Sequence, residues 1–284
     1  MFDRYFQQRR YENAHFNFTN LFMWRKIYQI QWTEEAGFLC IKAQWDGKSF
    51  FLPPFGPEAD YETIIAKLEA YSREMNFSFQ IRGAENFIVK ILENIRPGYF
   101  EGTPDRDNFD YVYLSEDMIH FKGRKFHQKK NHANYFRKNY PQYEYRPMPA
   151  ELALACIDFN IEWCKKRDCK KGDDLDCEKD AVIEALTHFE TLGFAGGVIY
   201  IDGEIKAFTF GEKINSDTAV VHVEKGDTDI RGIYPVINQD FCASNWSEVT
   251  YINREEDMGV EGLRKAKESY NPVKMIEKSI VTVK

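Results

Sequence analysis

Each half of this 284-residue chain contains two apolar segments joined by Asp-Gly, and this doubled feature constrains the fold more than any other. FLCIKAQW and KSFFLPPF flank Asp46-Gly47, and GGVIYI and EIKAFTFGE flank Asp202-Gly203. Asp-Gly between apolar stretches is typical of a tight hairpin turn, because both residues tolerate positive φ. The sequence therefore predicts one β-hairpin in each half.

The same succession of elements follows each hairpin. YETIIAKLEAYSREM and IYPVINQDFCASN carry apolar residues at helical spacing, and FSFQIRG and EVTYINRE come next as candidate strands, each leading into another helix. The order hairpin, helix, strand, helix thus occurs twice, which predicts an internal duplication. We expect an α/β fold with mixed sheets, divided into domains of residues 1–145 and 146–284.

The segments between the halves complete the expected secondary structure. DYVYLSEDMI and YEYRPM are predicted as strands, and ELALACIDFNIEWCKKR and CEKDAVIEALTHFETL as helices. The polar loop between these two helices carries Gly172, so we expect it to be exposed and mobile.

The stretch FKGRKFHQKKNHANYFRKNYP concentrates positive charge in an otherwise acidic protein. Seven Lys or Arg residues and no acid lie between Lys122 and Lys138; the chain carries −7, so the remainder carries −7 − 7 = −14. A helix starting near Phe126 spreads these charges over about half of its circumference, and free amides at a helix start suit phosphate groups. The predicted phosphate-binding residues are Lys122, Arg124, Lys125, Lys129, Lys130, Asn134, Arg137 and Lys138.

A solvated helix face is the alternative interpretation of this stretch. It is weakened because no nearby acid in the sequence offsets the charge. Segregated positive charge favours a local anionic partner, such as a nucleotide cofactor, an RNA end or a lipid headgroup. Long duplex DNA is disfavoured, since the acidic remainder would repel it.

The hydrophobic pattern and the cysteines predict the cellular compartment. The sequence lacks a run of about 18 apolar residues, and MFDRYFQQRRYENAHF lacks the apolar core of a secretory signal. We therefore expect a cytoplasmic protein without a transmembrane segment. The six cysteines form no CxxC pair, which favours reduced thiols over a zinc site, and we expect no metal.

Four strings are distinctive: FKGRKFHQKKNHANYFRKNYP, GGVIYIDGEIKAFTFGE, VVHVEKGDTDIRGIYPVINQDF and YINREEDMGVEGLRKAKESYNPVKM. Together they resemble a bacterial family related to the C-terminal, aminoacyl-transferring domain of phosphatidylglycerol lysyltransferase, over nearly the whole chain. The resemblance implies two tandem domains of the GNAT acyltransferase type, as in Fem-type enzymes that move amino acids from aminoacyl-tRNA onto peptidoglycan precursors, with the second domain catalytic. Because the lysyltransferase has a membrane-embedded portion and this chain has none, a soluble or peripheral acceptor is expected.

In this resemblance, VVHVEKGD is placed as the splayed central strand that holds the acyl donor. His222 is a candidate base and Glu224 a carboxylate that could orient an ammonium, and strand alternation puts them on one face. A satisfied core histidine is the alternative for His222. Tyr270 matches the tyrosine that often donates a proton to the leaving group in GNAT enzymes, although it could equally end the helix and pack its ring. The predicted catalytic residues are His222, Glu224 and Tyr270.

DTDIRGIY occupies the turn where GNAT enzymes carry a glycine-rich pyrophosphate loop, but it has acids and few glycines. Acids at a helix start repel a pyrophosphate, which weakens the case for coenzyme A, whereas the α-amine of an aminoacyl donor would tolerate them. Asp227 or Asp229 could pair with that amine or could cap the helix. The predicted substrate-binding residues are Lys225, Asp227, Asp229, Arg231, Asn253, Arg254 and Glu255.

The function predicted from these residues is aminoacyl transfer from aminoacyl-tRNA to an amine or hydroxyl of a small-molecule or peptide acceptor. The basic stretch would receive the phosphates of the tRNA acceptor end. One alternative is an acyl-CoA-dependent N-acyltransferase, in which the same residues meet the phosphates of coenzyme A. Another is a non-catalytic binding module for an anionic ligand. We expect the donor to be a co-substrate and no cofactor to be tightly bound.

Overall fold

The computed structural model describes residues 1–167 and 174–284, which form two compact units. One unit comprises residues 1–110, 256–261 and 275–284, and the other residues 111–255 and 262–274. This division differs from the predicted boundary after residue 145. The reason is strand pairing: the end of the chain joins the sheet of the first unit, and residues from 111 onwards join the sheet of the second.

The helices and strands are as follows. The helices are α1 (Asp3–Phe6), α2 (Phe18–Trp24), α3 (Tyr61–Glu74), α4 (Asn86–Ile95), α5 (Ser115–His120), α6 (His127–Asn139), α7 (Ala150–Lys166), α8 (Asp174–Thr187), α9 (Phe189–Leu192), α10 (Ile233–Asn245) and α11 (Glu261–Glu268). The strands are β1 (Gln31–Glu35), β2 (Phe38–Trp45), β3 (Lys48–Phe51), β4 (Gln80–Ala84), β5 (Phe100–Pro104), β6 (Asp110–Leu114), β7 (Glu144–Pro147), β8 (Ala195–Ile201), β9 (Glu204–Lys213), β10 (Thr218–Gly226), β11 (Tyr251–Asn253), β12 (Lys274–Ile276) and β13 (Ser279–Val283).

The first sheet is mixed and has the order β1-β2-β3-β4-β13-β5. Strands β3 and β4 run parallel, and the remaining neighbours run antiparallel. Helix α3 buries Ile64, Ile65 and Leu68, residues spaced three and four apart, in a core that includes Phe38 and Ile81. The apolar residues that predicted the helix therefore form the face of α3 that packs on this sheet.

The second sheet is also mixed and has the order β12-β6-β11-β10-β9-β8-β7. Strands β10 and β11 are parallel, and their outer neighbours β9 and β6 pair antiparallel to them. Helix α10 covers this sheet, burying Val236 and Ile237 with Ile199 and Ala207. The bounds of α10 coincide with the predicted segment IYPVINQDFCASN.

The two sheets share one strand order, which confirms the predicted duplication. The succession β1-β2-β3-β4-β13 matches β8-β9-β10-β11-β6 in order and in strand direction. Both Asp-Gly turns are present with positive φ at each residue, but they are not equivalent. Asp46-Gly47 joins the second and third strands of its series, whereas Asp202-Gly203 joins the first and second. Turn chemistry identifies a hairpin without identifying its place in a sheet.

Several local predictions need correction. The strand predicted over DYVYLSEDMI ends at Leu114, and α5 follows, because Glu116 and Asp117 favour the first turn of a helix. The helix predicted over CEKDAVIEALTHFETL is interrupted between α8 and α9 at His188. The predicted mobile loop around Gly172 lies, in residues 168–173, outside the described residues.

Cysteine chemistry agrees only in part with expectation. Cys40, Cys156 and Cys242 are buried free thiols. Cys164 is disulfide-bonded, so the expectation of reduced thiols is wrong for this residue. Among the described residues, none of the helices has the length and hydrophobicity that crossing a bilayer requires.

Candidate active site

Strands β10 and β11 separate from each other early along their length. They pair in parallel only where Thr218–Val220 lies opposite Tyr251–Asn253. Beyond this point β10 continues to Gly226 while paired with β9. This is the splayed arrangement expected for VVHVEKGD. Glu224 lies on β10 beyond the paired residues, and Arg254 directly follows β11. Both residues are therefore placed where the two strands diverge.

The Glu224 carboxylate is buried and accepts hydrogen bonds from two side chains. Arg254 donates from Nη2 to Oε1 at 2.9 Å, and Asn238 on α10 donates from Nδ2 to Oε2 at 3.1 Å. The side chains of Glu224 and Arg254 are only 8% and 13% exposed, and Asn238 is fully buried. A charge-assisted pair removed from water holds its members in fixed orientations.

Two atoms of this group have no hydrogen-bond partner within the described part of the chain. They are Nη1 of Arg254 and Oδ1 of Asn238, and both are buried. Glu224 sets the orientation of both groups, because it accepts from Nη2 of the guanidinium and from Nδ2 of the amide. Buried polar atoms are nearly always paired in proteins. Arg254 thus has an unpaired donor and Asn238 an unpaired acceptor. Together they indicate a place for a polar ligand.

Tyr270 brings an aromatic ring and a phenol to the same group. Two cations lie over its ring: Lys129 Nζ is 3.7 Å and the Arg254 guanidinium carbon 4.7 Å from the ring centre. Burial raises the pKa of the phenol well above its ordinary value, although Arg254 opposes this effect. Tyr270 therefore keeps its proton at neutral pH and suits a proton donor. We call Glu224, Arg254, Asn238, Tyr270 and Lys129 the Glu224 cluster.

His222 lies in a different group of side chains. Its ring is 1% exposed, with Nδ1 2.8 Å from Oε1 of Glu255 and Nε2 3.0 Å from Oε1 of Glu212. Burial by itself lowers the pKa of the ring, but the hydrogen bonds to the two carboxylates outweigh it and raise the pKa to about 9. His222 is thus an imidazolium at neutral pH, a state that does not suit a general base.

A β-bulge explains why His222 and Glu224 have different partners. The pairing of β10 with β9 shifts between Val221 and Val223, at His222 itself. The extra residue interrupts strand alternation, on which the prediction of a shared face depends. His222 consequently contacts Glu212 and Glu255, whereas Glu224 contacts Arg254 and Asn238.

Three residues predicted to bind substrate instead contact other groups of the protein. They are Lys225, Asn253 and Glu255. Lys225 is buried; it pairs with Glu178 and lies 3.9 Å from the centre of the Trp163 ring. Asn253 is buried and accepts a 2.7 Å hydrogen bond from the backbone N–H of Glu255. Glu255 adopts φ 58°, and its carboxylate contacts His222. These contacts shape the turn that follows β11.

The loop between β10 and α10 carries the other three predicted substrate residues. Lys166 Nζ lies 3.2 Å from Asp227 and 3.5 Å from Asp229, so the two acids already contact an ammonium of the protein. Arg231 is exposed, with its guanidinium 4.6 Å from the centre of the Tyr135 ring. Its Nε also donates a 3.3 Å hydrogen bond to Nδ1 of His132, so Arg231 is exposed but already contacts α6.

Helix α6 begins at His127, close to the predicted start, but acids offset part of its charge. The ion pairs are Lys122 with Glu116, Lys125 with Asp117, and Arg137 with Asp240. The expectation that no nearby acid offsets the basic stretch is therefore wrong, because the fold brings α5 and α10 beside it. Lys129 is half-buried in the Glu224 cluster. Lys122 and Lys125 are exposed despite their ion pairs, and the exposed members of the predicted phosphate-binding set without an ion pair to any described residue are Arg124, Lys130, Asn134 and Lys138.

A further buried ionic group lies in the first unit. His15, Asp110 and Glu256 offer possible metal-ligand atoms that all lie within 4.8 Å of one another. The buried Lys278 Nζ lies 2.6 Å from Asp110 and 3.8 Å from Glu256. This ammonium supplies positive charge to the buried Asp110 carboxylate and to the partly buried Glu256 carboxylate.

The doubled sheet order and the separation of β10 from β11 define a tandem acyltransferase fold of the GNAT type. Residues 7–282 match the family described as phosphatidylglycerol lysyltransferase, C-terminal, so the chain belongs to this family of acyltransferases. Both the predicted resemblance and the predicted fold class are confirmed.

Solved structures agree with this assignment. A conserved protein of unknown function from Bacteroides thetaiotaomicron is 39% identical, with a TM-score of 0.93 over 99% of this chain and 96% of that one. L-PGS from Bacillus licheniformis is 13% identical, with a TM-score of 0.68 over 99% and 90% of the two chains. FemX is 9% identical, with a TM-score of 0.65 over 99% and 95%. The last two likenesses show the fold alone.

A curated relative matches over part of its length. An uncharacterized protein from Mycoplasmoides gallisepticum is 23% identical over 195 residues, which are 68% of this chain and 62% of that protein. The chain therefore spans less than two thirds of this relative.

Asn238 is absent from the residues predicted from the sequence. It interrupts an apolar run, IYPVINQDF, and lies on the buried side of α10 with Val236, Ile237 and Phe241. A polar residue on a buried helix face needs a partner, and this is the signal that could have identified it.

Proposed function

We propose that the protein transfers an aminoacyl group from aminoacyl-tRNA to an amine or hydroxyl of a soluble or peripheral acceptor. The observation that carries the proposal is the buried, unpaired Nη1 of Arg254, held by Glu224 where β10 and β11 separate. Membership of an acyltransferase family supports the reaction class.

Arg254 is the group that would stabilise the reacting carbonyl. Attack on an aminoacyl ester places negative charge on the carbonyl oxygen, and a preorganised donor stabilises that charge. Nη1 is such a donor, because Glu224 holds the opposite edge of the guanidinium. The free Oδ1 of Asn238 is an acceptor for the N–H groups of the donor's α-amine or of the accepting amine.

Tyr270 would protonate the leaving group. When the acyl bond to the tRNA ribose breaks, the ribose oxygen must gain a proton. The phenol of Tyr270 is protonated at neutral pH and can supply that proton. Tyr270 lies beside Arg254, so one side chain would serve the carbonyl oxygen and its neighbour the leaving oxygen.

The exposed cations of the basic stretch would contact phosphates of the tRNA acceptor end. Arg124, Lys130 and Lys138 are exposed and make no ion pair with any described residue. Coenzyme A is disfavoured because Asp227 and Asp229 precede α10, where its pyrophosphate would otherwise bind.

Binding separates the three candidate functions. Deacylated bulk tRNA and coenzyme A are each titrated at two salt concentrations against the wild type and against Arg124→Ser/Lys130→Ser/Lys138→Ser. The matched control, Lys48→Ser/Arg73→Ser/Lys90→Ser, removes the same charge from exposed positions of the first unit. We expect only the first variant to weaken tRNA binding, with the slope of log K against log salt reduced by about 2–3. Equal weakening by both variants would remove the basic stretch from the proposal.

Turnover is then measured with bulk aminoacyl-tRNA carrying radiolabelled amino acids. The acceptor panel contains soluble amines, hydroxyl compounds, short peptides and phosphatidylglycerol vesicles. Transfer of label that depends on Arg254 supports the proposal. Saturable coenzyme A binding without tRNA binding contradicts it in favour of the CoA-dependent alternative, and binding of an anion without transfer favours the non-catalytic module.

A further inference from the structure

Lys129 differs from every other basic residue of the basic stretch in its surroundings. Lys122, Lys125 and Arg137 pair with acids, and Lys130 faces solvent. Lys129 is half-buried, and its Nζ lies 3.7 Å from the centre of the Tyr270 ring. Among the described residues it has neither an ion pair nor a hydrogen bond to a carboxylate, so its ammonium is unusually poorly compensated.

The surroundings of Lys129 lower its pKa on balance. Burial and the nearby charge of Arg254 lower the pKa of Lys129, the Glu224 carboxylate partly opposes them, and the net result is a pKa of about 8. Next to it on α6, His132 has a lowered pKa for the same kinds of reason, namely burial, Arg231 and Lys129. A lysine in such an environment is neutral in a substantial fraction of molecules near pH 8.

The proposed reaction needs a base that the cluster otherwise lacks. His222 is protonated and bound to two carboxylates, Tyr270 keeps its proton, and Glu224 already accepts from Arg254 and Asn238. Lys129 lies over the same ring as Arg254, whose Nη1 is the proposed carbonyl ligand. It is therefore the side chain placed to receive a proton beside the reacting carbonyl.

We propose that neutral Lys129 is the general base that removes the proton of the accepting amine or hydroxyl; this role rests on the proposed aminoacyl transfer. The acceptor atom bonds to the acyl carbon as its proton passes to Nζ of Lys129. The bond from the acyl carbon to the ribose oxygen then breaks, and that oxygen takes the phenolic proton of Tyr270. The proton that Lys129 received then restores the phenol of Tyr270, so the cycle needs no external acid or base.

A phosphate contact is the competing role, and arginine distinguishes the two. Arginine keeps the positive charge and the contact with the ring, but it does not release a proton at working pH. A phosphate ligand tolerates Lys129→Arg, whereas a general base does not.

Chemical labelling tests Lys129 without any assumption about substrate. The wild-type protein is treated with a trace of acetic anhydride between pH 6 and pH 11, and acetylation of Lys129 is followed by mass spectrometry against N-acetyl-lysine amide in the same tube. We expect half-maximal reactivity near pH 8, about two units below the ordinary lysine value. A profile that coincides with the free lysine derivative overturns the proposal.

Turnover tests the role itself. Lys129→Arg and Lys129→Met should both lower kcat at least about 100-fold and abolish the rise of kcat/KM with pH towards 8, while Lys90→Met on α4 changes neither. Wild-type rates in Lys129→Arg contradict the base and leave a charge contact. Labelling can show the lowered pKa of Lys129 while the wild type transfers no aminoacyl group. In that case the proposed function is wrong, and the role of Lys129 as its general base is wrong because the reaction does not occur.

Discussion

Arg254 and Glu224 form a buried ion pair in which Nη2 lies 2.9 Å from Oε1, while Nη1 of the same guanidinium has no partner among the described residues. The pair joins a residue of β10 to the residue that follows β11, at the place where these strands separate. One edge of the guanidinium is thus held by the protein and the other is available.

The ion pair is expected to stabilise the fold as a unit. Arg254→Met leaves the Glu224 carboxylate buried without its cation and should lower the free energy of unfolding by about 3–5 kcal/mol. Glu224→Gln/Arg254→Met should be less destabilised than Arg254→Met alone, because no charge remains buried. Urea denaturation measures both, and Arg146→Met, from an exposed pair with Glu144, should change stability by less than about 1 kcal/mol. Glu224→Gln alone completes the cycle, and strictly additive effects of Glu224→Gln and Arg254→Met would contradict the pairing.

His222 is expected to make stability depend on pH. Its folded-state pKa of about 9 lies above its unfolded value, so the stabilisation is fully present below about pH 6.5 and is lost as pH rises through 9. The wild type should lose roughly 3 kcal/mol of unfolding free energy across this interval relative to His222→Gln. Denaturation curves from pH 6 to pH 10 test this, and parallel pH profiles for the two proteins would show that the imidazolium does not form.

Tyr270→Phe should separate chemistry from packing. The substitution keeps the ring that packs with Tyr113 and Phe121 and removes only the hydroxyl. We expect aminoacyl transfer to fall about 10²–10⁴-fold, with the unfolding free energy changed by less than about 1.5 kcal/mol. Tyr251→Phe on β11 is the control, and its rate should match the wild type. Full activity in Tyr270→Phe would assign the phenol to packing.

Gly232 is expected to tolerate no side chain at the start of α10. It adopts φ 89°, and a Cβ there would lie 2.2 Å from the carbonyl oxygen of His132. Gly203 has φ 80°, and a Cβ there would have nothing within 4 Å. Gly203→Ala therefore measures the cost of the positive φ without any steric clash. Thermal or urea unfolding should show a loss of about 1–2 kcal/mol for Gly203→Ala and about 1–3 kcal/mol more for Gly232→Ala. Equal losses would mean that α6 and α10 adjust freely.

The sequence by itself determined the local elements. The Asp-Gly turns, the apolar period of α3, and the bounds of α10 all follow from interactions between residues a few positions apart, which turn chemistry and periodicity report. The doubled order of elements was readable for the same reason. Glu224, Arg254 and Tyr270 were also identified as candidates, although only through the family resemblance.

Only the tertiary structure decided which candidates meet. Arg137 pairs with Asp240 and Glu224 with Arg254 across 103 and 30 positions of the chain, and no local pattern encodes such contacts. The bulge at His222 moved it to Glu212 and away from the partners of Glu224. Strand β13 pairs with β4 in the first sheet and β6 pairs with β11 in the second, and in each case the partner lies far away along the chain. Long-range pairing and burial set the charge states and orientations of side chains, and they divided the basic stretch into paired, exposed and inward-facing residues.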